Sequence, residues 1–142
     1  MPASDQGLEA LWDRFLVRYV VEGIKETKNF NEMISNSFHL YEDTVPEEIK
    51  LTEEIYAALQ EFIDKIEIPE NVFGVIHAIR NYIVAYNQKE ENQERQIYVS
   101  DRRWRKIVHL LRTSALLNDR TSVDLMDCFL IYHCLWYETE QC

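Results

Sequence analysis

Apolar residues recur with the spacing of an α-helix in the stretch from Thr52 to Ile66 and again after Pro69. Glutamates in the first turn of the earlier stretch favour a helix start, and Pro69 suits the first position of the later helix. The apolar positions are Ile55, Leu59, Phe62, Ile63, Ile66, Val72, Ile76, Ile79, Ile83 and Tyr86. We therefore predict two amphipathic helices, the second ending near Asn87.

Two further helices are predicted nearer the C-terminal end. Ser100 is a good N-cap for a helix over residues 100–118. Asp124 and Asp127 form a capping-box pattern, with Asp in place of the usual Glu, at the start of a fourth helix. The apolar stripes comprise Trp104, Ile107, Val108, Leu111, Ala115, Leu125, Phe129, Tyr132 and Trp136. Both tryptophans are expected in the core, and residues 52–142 are expected to form a compact helical bundle.

The N-terminal part has a different pattern. Phe15–Val21 is an apolar run of β-branched and aromatic residues, typical of a buried strand. No partner strand is evident in the sequence, so either this segment is helical or its sheet lies on residues outside the chain. Residues 29–38 favour a short helix, with Phe30, Met33, Ile34 and Phe38 as its apolar positions. Residues 39–51 predict an acidic loop, and residues 89–95 predict a solvated connection.

Composition limits the classes of function. The chain has 142 residues, of which 46% are hydrophobic, enough for one domain with a core. Lys and Arg number 15 against 25 Asp and Glu, and the net charge of −10 disfavours a general nucleic-acid coat. No apolar run approaches the roughly 18 residues that cross a bilayer, and no signal peptide opens the chain. We expect a soluble, cytoplasmic protein without a membrane partner.

Cysteines and histidines do not indicate a reactive or metal-binding site. Cys128, Cys134 and Cys142 are an odd number near the C-terminal end, so reduced thiols are expected rather than a disulfide framework. His133 lies beside Cys134, but the sequence has no CxxC, no HExxH and no second cluster at ligand spacing. We expect no metal site and no nucleophilic catalysis.

Arginines crowd the start of the third helix, in the segment Ser100-Asp101-Arg102-Arg103-Trp104-Arg105-Lys106. Cations at a helix start oppose the helix dipole, so they are not explained by helix stability. Free backbone N–H groups at a helix start bind anions, and an Arg guanidinium is a planar fork suited to phosphate oxygens. The pattern predicts an arginine that reads phosphate.

Four segments resemble one family. Leu8–Arg18, with the sequence LEALWDRFLVR, resembles the L-D-R-F segment of AAA+ ATPases of the MoxR family, RavA-like branch. Tyr98–Lys106, Leu110–Ala115 and Cys134–Tyr137 resemble the lid of the same branch. The resemblance covers almost the whole chain. It implies a mainly α fold, a helical-bundle AAA+ lid preceded by one helix and one strand of the α/β ATPase core.

The resemblance also implies a domain division and subunit partners. Residues 1–24 would be the end of the core, with the arginine-finger helix and last strand, and residues 25–51 the connecting helix and acidic loop. Residues 52–142 would be the lid, with the sensor-2 helix at 100–118. Subunits of this family form rings, commonly hexamers, that remodel other proteins. The family often works beside von Willebrand factor A-domain proteins, so such a protein is a further expected partner.

Site residues are carried over by matching positions. Arg14 matches the arginine finger, which reaches the γ-phosphate bound by a neighbouring subunit. Arg102 matches the sensor-2 arginine, which contacts the γ-phosphate of its own subunit's nucleotide, and Arg103 is the alternative one position along the helix. From the residues alone, the more common role for such an arginine is at the surface or an interface, with Arg14 paired with Asp13 or Glu9.

The chain lacks the parts that hold a nucleotide. Its glycines are Gly7, Gly23 and Gly74, so it has no G-x-x-x-x-G-K-[ST] phosphate loop, and no strand ends in the paired acids of a Walker B site. We expect ATP and Mg²⁺ in the full-length parent, but no cofactor and no ATP hydrolysis in this chain alone. The alternative is a free-standing helical interaction module that binds nucleic acid through Arg102–Lys106. Its weakness is the acidic remainder, which repels phosphates within a Debye length of about 10 Å.

Overall fold

The computed structural model describes residues 14–35 and 45–136. This part of the chain is mainly helical and contains no strand. The α-helices are α1 (Thr27–Ser35), α2 (Glu53–Lys65), α3 (Glu70–Asn87), α4 (Asp101–Leu117) and α5 (Tyr132–Leu135). Three segments are 3₁₀ helices, Glu47–Ile49, Glu90–Arg95 and Leu125–Ile131. The mainly helical fold expected from the sequence is confirmed.

The predicted helix starts are confirmed by their caps. The Thr52 hydroxyl accepts the N–H of Ile55 at 3.2 Å, and α2 begins at the next residue. The Ser100 hydroxyl likewise accepts the N–H of Arg103 at 3.2 Å, and α4 follows. Each hydroxyl satisfies one backbone donor that a helix start leaves without an intrahelical partner. Pro69, predicted as the first helical position, is instead the N-cap that precedes α3, and α3 ends at Asn87 as predicted.

The core lies where α3, α4 and the 3₁₀ helix Leu125–Ile131 pack together, while α2 packs against α4. Apolar residues from these elements fill it, and burying them supplies most of the driving force for folding. The buried cluster consists of Ile66, Val72, Ile76, Ile107, Leu111, Ala115, Val123, Cys128, Ile131 and Cys134. Trp136 is also buried and Trp104 packs against the cluster, which confirms that both tryptophans belong to the core region.

The connection after α4 is fixed by backbone hydrogen bonds. Asp119 adopts a left-handed conformation with φ of 55°, and the N–H of Arg120 donates to the carbonyl of Ala115 at 2.9 Å. This is a Schellman helix end. Beyond it, Glu67 donates to the Thr121 carbonyl at 3.0 Å and accepts from Val123 at 2.9 Å. The loop after α2 is thereby tied to the loop after α4.

The fourth predicted helix differs from the expectation. The predicted capping box of Asp124 and Asp127 is present, but it opens the 3₁₀ helix Leu125–Ile131, which continues into the short helix α5. Within the 3₁₀ helix Asp127, Cys128 and Ile131 are buried, and Cys134 of α5 is buried three residues farther on. The expected stripe of Leu125, Phe129 and Tyr132 is exposed, which corrects the prediction for all but Trp136.

The described residues 14–26 form neither the predicted strand nor a helix. Residues 15–26 have no regular secondary structure, and the strand predicted over Phe15–Val21 is not seen. A strand needs a neighbouring strand to pair its backbone groups, and the described residues supply none. The predicted helix over 29–38 corresponds to α1, which begins two residues earlier. Phe38 lies outside the described residues, and so do residues 1–13 of the segment 1–24 that is expected to hold the arginine-finger helix.

The two predicted loops contain short helical turns. Residues 45–51 of the expected acidic loop include the 3₁₀ helix Glu47–Ile49, and residues 39–44 lie outside the described part. The expected solvated connection forms the 3₁₀ helix Glu90–Arg95. It is flanked by hydrogen bonds at 2.9 Å that join the Asn87 side chain to the backbone of Ile97 in both directions. Hydrogen bonds of this kind do not require regularly spaced apolar residues, so the sequence pattern did not predict this 3₁₀ helix.

Candidate functional site

The start of α4 presents its two adjacent arginines to opposite environments. Ser100 caps the helix, so the direction of each side chain in the first turn is set. Arg102 is exposed, whereas Arg103 has a relative accessibility of only 1%. One position of helix separates them by about 100° around the axis, which carries one side chain outward and the other into the fold. The two sequence candidates for a phosphate reader are thus structurally distinct.

Arg102 lines an open groove of about 1060 Å³ along α4. Most charged side chains around it are basic, and they come from α3 as well as α4. The basic lining residues are Arg80, Arg102, Arg105, Lys106, His109 and Arg112, and the acidic ones are Asp64 and Asp101. In a chain with a net charge of −10, the lysine and arginines of this groove make it a local region of positive charge, which attracts anions.

A smaller groove of about 390 Å³ continues from the first between α3 and the segment before α4. The two grooves share Arg80, Asp101 and Trp104. The smaller one adds neutral polar groups and an exposed aromatic ring, from residues that include Asn81, Asn87 and Tyr98. The combined surface can therefore contact an anionic group and a neighbouring uncharged group together.

Arg103 is engaged within the fold. Its Nη2 donates to the carbonyl oxygen of Phe15 at 3.2 Å. A buried guanidinium is costly unless hydrogen bonds compensate the loss of water, so this contact accounts for part of its burial. Arg103 therefore lies toward the N-terminal segment, and Arg102 lies toward the groove.

Arg14 lies close to the same helix. Its backbone carbonyl accepts a hydrogen bond from Nζ of Lys106 at 3.2 Å, and its side chain is exposed. The structure thus brings Arg14 and the start of α4 together, although they are far apart in the sequence. Asp13 and Glu9, the alternative ion-pair partners of Arg14, lie outside the described residues.

The sequence prediction missed the arginines that α3 and the middle of α4 bring to the groove. Arg80 lies four residues after Ile76 on α3, and Arg112 lies ten residues after Arg102 on α4. The available signal was the position of Arg80 next to an apolar stripe. The sequence could not show that α3 places it beside α4, since that depends on how the two helices pack.

Thiols and possible metal ligands do not form a reactive centre in the described part. Cys128 and Cys134 are free and buried, and burial raises the pKa of Cys134 to about 11, so its thiol stays protonated near neutral pH. Within residues 14–35 and 45–136, no three His, Cys, Asp or Glu side chains lie together as metal ligands. Cys142 lies outside these residues.

Comparison with known families identifies the domain. Residues 71–142, about half of the chain, match the AAA lid domain. The chain belongs to the AAA lid domain family. The matched region of this lid includes most of α3, all of α4, and the elements that follow, so it contains the basic residues of the cationic groove. It falls within the lid predicted at 52–142, and the division of residues 1–51 stays a prediction.

Two relatives of this lid are longer proteins. An uncharacterized protein of Methanocaldococcus jannaschii is 31% identical over 133 residues, which cover 94% of this chain and 31% of that protein. A second uncharacterized protein of the same organism is 28% identical over 138 residues, covering 97% of this chain and 33% of that protein. The chain thus spans about a third of the length of these relatives. In the described part of the lid, no helix has an apolar stretch long enough to cross a membrane.

Proposed function

We propose that this chain is the lid and adjoining subunit-interface segment of a MoxR-type AAA+ ATPase of the RavA-like branch. In this proposal the lid couples ATP binding and hydrolysis to chaperone-like remodelling of other proteins. The observation that best supports this proposal is that Arg102 is exposed at the capped start of α4, in a cation-lined groove of an AAA lid domain. An exposed guanidinium beside helix N–H groups suits the oxygens of a γ-phosphate.

The geometry supports Arg102 over Arg103 as the sensor-2 residue. Arg102 lines the groove, whereas the guanidinium of Arg103 is buried and donates to the Phe15 carbonyl. A residue that reads nucleotide state has to reach a ligand that comes and goes, which requires access to solvent. We assign phosphate reading to Arg102.

Arg14 is proposed as the arginine finger that acts on the nucleotide of a neighbouring subunit. Its exposed side chain agrees with a role at a subunit surface. A guanidinium that reaches the γ-phosphate stabilises the charge that develops during phosphoryl transfer. The proposed partners are other subunits of the same ring, commonly six in this family, and a von Willebrand factor A-domain protein, all in the cytoplasm.

ATP and Mg²⁺ are the proposed cofactors of the full-length parent. The cationic groove fits the phosphates, because guanidinium and ammonium groups from α3 and α4 line it. Among the described residues, no three His, Cys, Asp or Glu side chains lie together as metal ligands, and nucleotide-bound Mg²⁺ usually needs only one or two protein carboxylates besides the phosphates. We expect Mg²⁺ to be held by residues outside the lid, and we expect no hydrolysis by this chain alone.

ATP turnover of the full-length protein tests the proposed role of Arg102. Arg102→Ala should lower turnover about 100-fold, the order of loss seen when one transition-state donor is removed. Lys89→Ala, which removes an exposed cation away from the groove, is the matched control and should stay within about twofold of the wild type. Turnover of Arg102→Ala within about twofold of wild type would reject the assignment.

Mixed rings test whether Arg14 acts between subunits. Rings of Arg14→Ala subunits alone, and rings of subunits with a defective phosphate loop alone, should both be inactive. Mixing the two should partly restore turnover, because some interfaces then join an intact finger to an intact phosphate loop. No restoration in rings that demonstrably contain both subunits would argue against a finger acting in trans.

A second candidate function rests on the same cationic groove. A free-standing interaction module could bind nucleic acid through the cluster Arg102–Lys106. The burial of Arg103 removes one cation from that cluster and weakens this alternative. DNA affinity at low salt, falling steeply as salt is added, would support the module and count against the lid function.

A further inference from the structure

The lid holds the segment that carries Arg14 by hydrogen bonds at both ends. We call residues 14–20 the strap. At its start, Lys106 Nζ donates to the Arg14 carbonyl and Arg103 Nη2 donates to the Phe15 carbonyl, each at 3.2 Å. Farther along, the N–H of Arg18 donates to the His133 carbonyl at 2.8 Å. The Arg18 guanidinium also donates to the carbonyl of Trp136.

The arginine side chains that hold the strap are buried, whereas side chains on the outer side of the strap are exposed. Arg18 has a relative accessibility of 3% and Arg103 of 1%, and Leu16 packs against the core between them. Phe15 and Tyr19 are exposed. Two buried arginines are an expensive way to attach a segment, since an aliphatic side chain would need no compensating hydrogen bonds. Their directional donors fix the position of the strap backbone, which apolar packing alone does less well.

The geometry points to Arg103 and Lys106 as positioning residues for Arg14. We infer that they form a clamp through which helix α4 couples the nucleotide read by Arg102 to the placement of Arg14 toward the neighbouring subunit. This inference rests on the proposed function for the roles of Arg102 and Arg14. The clamp itself rests on the hydrogen bonds of Arg103 and Lys106 to the strap backbone.

Arg102 and the two clamp residues are coupled because they lie close together on one rigid helix, α4. Arg102, Arg103 and Lys106 lie within about 6 Å of helix axis, because an α-helix rises about 1.5 Å per residue. Any shift of α4 that brings Arg102 onto a phosphate moves the donors of Arg103 and Lys106 with it. The strap backbone at Arg14 and Phe15 then moves as well, since these donors hold its carbonyls.

Backbone hydrogen exchange of this 142-residue chain tests the clamp without reference to nucleotide. Arg103→Met keeps an apolar stem and removes the donor. It should speed exchange of the Arg18 amide about tenfold, the loss expected for one hydrogen bond to a charged group. Lys106→Met, on the partly exposed side of α4, should act in the same direction without disturbing the core. Arg105→Met is the matched control, because Arg105 is on the same helix and lines the groove.

The exchange result decides the clamp in either direction. Faster exchange of the Arg18 amide in both clamp variants, unchanged exchange in Arg105→Met, and partial recovery in Arg103→Lys would support it. If Arg103→Met does not fold, Lys106→Met decides alone. Unchanged Arg18 exchange in the folded clamp variants would overturn the clamp, whatever the role of Arg102.

A double-mutant cycle in the full-length ATPase tests whether the clamp acts through Arg14. Arg103→Met should lower kcat about tenfold with little change in KM, because a finger contributes chiefly in the transition state. In the Arg14→Ala background the same change should have almost no further effect. If the effects of Arg103→Met and Arg14→Ala on kcat multiply in the double variant, the coupling is overturned. An Arg14→Ala or Arg102→Ala variant with wild-type turnover would instead reject the proposed function. The clamp would then be tested by hydrogen exchange alone.

Discussion

The carboxylate of Asp127 accepts four hydrogen bonds. Arg120 donates to both of its oxygens at 2.7 Å, the Ser114 hydroxyl donates at 2.7 Å, and the N–H of Asp124 donates at 2.8 Å. The Arg120 hydrogen bonds are the main cause that lowers the pKa of Asp127 to about 2. The network joins α4, the loop after it and the start of the 3₁₀ helix Leu125–Ile131.

Acid should destabilise the lid through this carboxylate. The folded-state pKa of Asp127 is lowered from 3.8 to about 2. The ionised carboxylate therefore contributes to the free energy of unfolding above pH 4, and this contribution is lost as pH falls toward 2. The shift corresponds to about 2 kcal/mol at neutral pH. Chemical denaturation at several pH values should show that Asp127→Asn lowers the free energy of unfolding at pH 7, by about that amount. The difference from wild type should shrink toward pH 2.

The control for this prediction is Asp64→Asn, which removes an exposed carboxylate elsewhere. It should change the free energy of unfolding by less than about 0.5 kcal/mol. An Asp127→Asn protein as stable as the wild type at pH 7 would contradict the account of the network.

Asp119 holds a left-handed conformation without being glycine. Its φ of 55° places its Cβ in a crowded position at the end of α4. Asp119→Gly should therefore relieve this crowding and raise the free energy of unfolding. The greater conformational freedom of glycine in the unfolded chain opposes this gain, so the net increase should be at most about 1 kcal/mol. Asn118→Gly is the control, because φ of −106° at Asn118 suits any residue and glycine there should not stabilise. Thermal unfolding of the two variants should shift in opposite directions.

At the scale of elements, the sequence predicts helix starts better than helix faces. The first-turn glutamates of α2 and the capping hydroxyl of Ser100 in α4 mark these starts in the sequence, because both act locally on the first turn. The face that Leu125–Ile131 buries could not be predicted in the same way. In this segment every residue except Asp127 is apolar, so its pattern is compatible with a period of 3.0 and with a period of 3.6.

Substitutions on the two faces of this element separate the structure from the sequence prediction. Ile131 has a relative accessibility of 1% and Phe129 of 72%. Ile131→Ala should cost about 2–4 kcal/mol by opening a cavity, whereas Phe129→Ala should cost less than about 1 kcal/mol. Denaturant unfolding with unchanged m-value measures both. A larger cost at Phe129 would restore the predicted stripe and contradict the 3₁₀ geometry.

At the scale of the whole lid, the site was only partly predictable. The arginine cluster at the start of α4 stands out in the sequence because cations there oppose the helix dipole. The choice between Arg102 and Arg103 required the structure, since it depends on which side of α4 faces the strap. The strap itself was expected as a strand, and its attachment through Arg18 and Lys106 links residues far apart in the sequence.

The central claim is that Arg102 reads the γ-phosphate of ATP. ATP and ADP differ by that group, so the most direct measurement is the affinity of the full-length protein for each nucleotide. Arg102→Ala should weaken ATP binding at least about tenfold, the value of one charge-assisted hydrogen bond, and leave ADP binding within about twofold. Lys89→Ala should alter neither affinity. Equal losses for ATP and ADP in Arg102→Ala, or no loss for either, would contradict the account.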